Sequence, residues 1–72
     1  MKKELAEEII EKTLSLDSEL NSIEPIMRQI ESEEERKRYL LSLGNLIGLI
    51  YTEIMVPIFL EYPELDPEKK TE

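Results

Sequence analysis

Between Tyr39 and Leu60 the chain reads YLLSLGNLIGLIYTEIMVPIFL, with Glu53 as its only charged residue, while both flanks are dense in Glu, Asp, Lys and Arg. A segment this apolar in so small and acidic a protein must be hidden from water. A partner helix, a second copy of the chain, or a lipid bilayer could hide it.

At 72 residues the chain forms one domain at most, in the size range where a single chain rarely encloses a sufficient core. Disulfides, a metal or oligomerisation are the usual remedies. With no Cys there is no disulfide, no thiolate zinc site and no thiol nucleophile. With no His, the commonest metal ligand and the commonest general base are both missing. Oligomerisation is the remedy left, and the expectation is a protein without catalytic residues, cofactor or bound metal. Nine basic against seventeen acidic residues give a formal charge of −8, which repels nucleic acid and anionic lipid heads. The N-terminus, MKKELAEEII, lacks the apolar core and cleavage site of a signal peptide, so a cytoplasmic setting is expected.

The N-terminal third carries Ile9, Thr13, Leu16, Leu20, Ile23, Met27 and Ile30 at 4-3-4-3-4-3 spacing, with Leu5 and Ala6 extending the stripe backwards. That alternation lies on one face of an α-helix and is the seam of bundle-type packing. It predicts a helix over about 3–31. Pro25 interrupts it, because an interior proline removes one hydrogen bond and clashes with the carbonyl four residues back, at about 3 kcal/mol. Two readings are open: a kink near Asn21–Ser22 with the helix continuing, which the unbroken register favours, or a short new helix capped by Ser22 with Pro25 in its first turn.

Ser32-Glu33-Glu34-Glu35 is a capping box with three acidic residues at the positive end of a helix dipole. A second helix is therefore expected over about 33–61, after a very short turn, so that residues 1–62 form an antiparallel hairpin. Leu40, Leu43, Ile47, Ile50, Ile54 and Ile58 make its stripe. With Leu40, Leu43, Ile47, Ile50 and Ile54 of that stripe, Ile9, Leu16, Leu20, Ile23, Met27 and Ile30 make the expected hairpin core. Tyr39, Leu41, Leu46, Tyr51, Met55 and Phe59 widen the apolar surface to more than half the circumference. Pro57 is expected to kink or end this helix near Glu53–Val56. Residues 63–72 read as an irregular, proline- and charge-rich tail, its last residues disordered, with Tyr62 and Leu65 able to pack back on the hairpin.

Few residues suggest chemistry. Glu53 is a carboxylate among apolar neighbours, but helical spacing puts it with Asn45 and Thr52 on a solvated side. Glu4, Glu7, Glu8 and Glu11 sit off the apolar stripe and lack the inward Glu-x-x-His pair of di-metal bundles. Arg36-Lys37-Arg38 is too short and too close to Glu33–Glu35 to read as a phosphate-binding patch. Gly44 and Gly48 form a small-xxx-small pair on the side of Tyr51 and Met55, a pattern of close helix crossings. They place a contact between two chains at Leu41, Gly44, Gly48, Tyr51 and Met55.

The apolar segment is long enough to span a bilayer. Against this, Glu53 would cost roughly 2.5–3.5 kcal/mol on insertion scales, and the stripe on the first helix would lack a partner. A membrane role is disfavoured. The fold expected is all-α: a helical hairpin, its first helix kinked at Pro25 on the favoured reading, assembling as a homodimeric four-helix bundle. The expected role is non-enzymatic and works through protein–protein contact. Two alternatives are an acidic inhibitor of the antitoxin or immunity type acting on a basic target, and a small membrane-associated protein using residues 39–60.

Overall fold

The computed structural model describes residues 1–67, and every element among them is helical. Helix α1 runs Lys3–Asn21, a one-turn helix α2 covers Glu24–Met27, and α3 covers Glu33–Ile50. A π-helical turn, Tyr51–Met55, joins α3 to α4, Val56–Glu61, and a 3₁₀ turn follows at Pro63–Leu65. The backbone stays right-handed helical through Ile50, Met55 and Val56, so α3, the π turn and α4 act as one long rod. This rod lies antiparallel to α1: Met1 meets Glu61 and Tyr62, while α2 packs at the other end against α3. The expectation for residues 68–72 lies outside the described residues.

Local signals account for the ends. Ser32 has extended backbone angles, and its Oγ accepts from the Glu35 amide at 3.3 Å, as a capping serine does. Arg36 steadies the same corner by donating to the Ile30 carbonyl at 2.9 Å. At Pro25 the helix stops instead of bending through. Ser22 and Ile23 keep helical angles, but the Ser22 Oγ donates back to the Glu19 carbonyl at 2.6 Å, so it closes α1 and does not cap α2. Pro25 then sits in the first turn of α2, where its missing amide has no partner to lose. The expected continuous helix over 3–31 is thus divided after Asn21.

Pro57 has the opposite outcome. The Val56 amide donates to the Tyr51 carbonyl, five residues back, and this wider turn takes up the strain that the proline would place on the preceding carbonyls. The extra residue turns everything beyond it by about 100° relative to an uninterrupted helix. Met55 therefore takes the inward position expected of Ile54: Met55 is 8% exposed and Ile54 37%. Ile58 and Phe59 follow it into the core, at 4% and 7%.

The remaining core is slight. Ala6, Thr13 and Leu43 are buried. Ile9, Leu20, Ile23, Met27, Ile30, Leu40, Ile47 and Ile50 are partly covered. Leu16, expected inside, is 49% exposed. The inward face of α1 centres on Ala6 and Thr13, small residues that let a neighbouring helix come close, and this turns Leu16 to the flank. The Thr13 hydroxyl is satisfied within the helix, donating to the Ile9 carbonyl at 2.7 Å. The molecule measures 46 × 22 × 19 Å, one helix long and two helices wide, with no further layer among the described residues.

Candidate interaction surface

Most of the exposed apolar side chains of the two long elements fall on two flanks of the hairpin. On one flank, Leu14 and Asp17 of α1 face Ile47, Gly48, Tyr51, Met55 and Phe59 of the long rod across a groove of about 500 Å³, closed at one end by Asp66 and Pro67. A smaller hollow continues past Gly44 towards Leu40, bordered by Asn21, Glu24 and Arg28. On the outer side of Leu14, a third hollow is lined by Glu4, Glu7, Glu8, Glu11, Ile10 and Leu65. Leu65 and Tyr62 are partly buried, so the segment after α4 folds back over this flank. It is pinned by Lys3 to Glu64 at 3.1 Å and by the Tyr62 hydroxyl, which donates to the Met1 carbonyl.

Among the described residues, none folds over the other flank. At about 100° per residue, Leu5 and Leu16 project roughly 160–180° from Leu14 around α1. Around α3, Tyr39 and Leu46 stand equally far from Gly48, and the π turn carries Ile54 to the same side. All five are exposed, as is Leu49 beside them. Both helices thus contribute leucine-sized side chains to one open face.

The structure distributes the residues expected at a chain–chain contact. Leu41, Gly44, Gly48 and Tyr51 are exposed, while Met55 is buried within its own hairpin. Among the described residues a Cβ built at Gly44 or Gly48 would meet nothing within 4 Å, so packing within the hairpin requires neither glycine. The sequence pointed to the Gly44/Gly48 side and to Tyr62 and Leu65 packing back; the groove shared with Leu14 and Asp17, and its closure by Asp66 and Pro67, it did not show.

The polar candidates lie apart. Glu53 is exposed in the π turn. The basic run is engaged locally: Lys37 pairs with Glu33 at 3.3 Å, and the Arg38 guanidinium lies 5.3 Å from the Tyr39 ring centre. No group of three or more carboxylates is placed to hold a metal among the described residues. The Tyr62 phenol is raised above its ordinary value of 10.0 by desolvation first, then by Glu61, Glu4 and Glu64, with Lys3 opposing. No family model matches the chain, and no curated protein or solved structure is significantly similar to it.

Proposed function

We propose that this is a small non-enzymatic protein that acts through protein–protein contact, and that its first partner is a second copy of itself. The observation that carries the reading is the poor cover of the long rod. Of its most apolar stretch only 17% is buried, although the stretch is apolar enough to cross a membrane. A half-exposed leucine still has about 1 kcal/mol to gain by burial, and Leu5, Leu16, Leu46, Leu49 and Ile54 gather on one flank. Two such flanks related by a two-fold axis make a four-helix bundle, with each rod covered by its own α1 and by the other chain.

A bilayer fits less well. The rod packs lengthwise on α1, whose outer face carries Glu7, Glu8, Glu11 and Lys12. Crossing a membrane would draw those charges into hydrocarbon or strip α1 away, exposing the stripe that Ala6 and Thr13 now bury. A cytoplasmic setting belongs to the same reading.

Light scattering at micromolar concentration tests it. The expected mass is twice the 8.5 kDa of one chain. Leu16→Lys with Leu46→Lys should reduce it to one chain while leaving the helical circular dichroism in place. A single-chain mass for the unaltered protein would overturn the proposal.

A further inference from the structure

We infer that the groove beside Gly48 is a docking site for a basic amphipathic helix of another protein. The inference rests on the interaction reading above but concerns the opposite flank of the hairpin. The groove offers an apolar floor, Ile47, Tyr51, Met55 and Phe59, open along Gly48, where the missing side chain leaves free space. Its α1 wall is acidic: Asp17 stands in the groove, and Glu7 and Glu11 stand just beyond Leu14, which lines both hollows. Among the described residues, no basic side chain lines either hollow. Arg28, farther along, is held by Glu24 at 2.6 Å.

This pairing of surfaces selects the occupant. A helix laid in a groove is anchored by apolar residues at i, i+3/i+4 and i+7, and its flanks meet the groove walls. Here one wall carries carboxylates with no cation against them among the described residues, Asp17 Oδ2 accepting only from the neutral Asn21 amide at 3.2 Å, so lysines or arginines beside the anchors would be attracted and acidic flanks repelled. A second copy of this chain would bring its own acidic wall against the first, which disfavours the groove as the self-contact. The two glycines, each costing about 1 kcal/mol in a helix relative to alanine, have no use inside the hairpin. A close-lying partner helix gives them one.

A synthetic helix with leucines at the anchor positions and lysines elsewhere is the probe, with a control in which glutamates replace the lysines. Titration into the ¹⁵N-labelled protein should shift the amides of Gly48, Tyr51 and Asp17 with the lysine peptide only, and binding should weaken as salt rises. Gly48→Leu, which fills open space in the groove, should cut affinity at least tenfold while leaving the light-scattering mass unchanged. Glu7→Gln, Glu11→Gln and Asp17→Asn together should weaken binding and flatten its salt dependence. Equal binding of both peptides, or undiminished binding to the Gly48→Leu protein, would overturn the inference. So would dissociation of a dimer by Gly48→Leu, which would assign the groove to a second copy and leave the dimer reading standing. A single-chain mass combined with groove-specific binding would do the reverse.

Discussion

Pro25 and Pro57 each interrupt an apolar helical pattern, and the chain resolves them in opposite ways. At Pro25 the helix ends, a single turn comes next, and the chain reverses into α3. At Pro57 one widened turn absorbs the proline and the rod goes on. The difference lies in the residues downstream of each proline. Beyond Pro57 stand Ile58 and Phe59, among the best buried residues of the protein, so packing holds the downstream segment in line. Beyond Pro25, Ile26 is 65% exposed and Met27 and Ile30 are only partly covered, and little would be gained by continuing. A proline perturbs a helix at a known place; burial downstream decides whether the helix survives.

The comparison breaks first at the core that Pro57 leaves intact. Phe59→Ala should destabilise the hairpin by about 3–5 kcal/mol and Met55→Ala by about 2–5 kcal/mol, both independently of protein concentration. Ile54→Ala should act differently, because the π turn has moved Ile54 to the open flank. Its effect on the denaturation midpoint should grow with concentration if that flank joins two chains. Were Ile54→Ala to match Met55→Ala at high dilution, the register shift would be absent in solution.

These residues also mark how far the pattern of apolar positions can be read. The hairpin, the start of α3 at Glu33 and the inward placement of Leu43 follow from spacing and from Ser32. Past Tyr51 the spacing misleads, because a π turn adds a residue that no 3–4 alternation records, and only Pro57 hints at it. On α1 the inward face is turned towards Ala6 and Thr13, whose small size matters more to close approach than the hydrophobicity of Leu16. Gly44 and Gly48 identified a side of the rod on which something could lie close. The acidic wall opposite them was not legible, since it comes from another helix, nor was the end of the groove that the folded-back tail closes.

The prolines themselves sharpen the contrast at smaller magnitude. Pro25 occupies a first-turn position with compatible backbone angles, so Pro25→Ala should cost about 0.4–1 kcal/mol through added freedom in the unfolded chain. Pro57→Ala restores an amide inside a helical rod and should stabilise by about 1 kcal/mol or more. Urea denaturation of the two variants reads the signs directly. Two changes of the same sign would mean that the prolines do not differ as the structure has them.

The smallest effect expected is confined to alkaline pH and tests how firmly the far end of the rod is held to α1. Tyr62 donates its phenolic hydrogen to the Met1 carbonyl, which it can do only while protonated. Desolvation and the neighbouring Glu61, Glu4 and Glu64 raise its pKa above 10.0. Because the folded state holds the proton more tightly than the unfolded one, the contribution is complete below the ordinary value and is lost as pH rises through the folded value. The stability difference between the unaltered protein and Tyr62→Phe should therefore be constant from about pH 7 to about pH 9 and shrink above about pH 10. Lys3→Gln, which removes both the pairing with Glu64 and a charge opposing the rise, should leave that direction unchanged. A difference that does not vary with pH would mean the phenol is not held by Met1, and that the rod beyond Pro57 stays in line through Ile58 and Phe59 and the ion pairs of Met1 with Glu61 and Lys3 with Glu64.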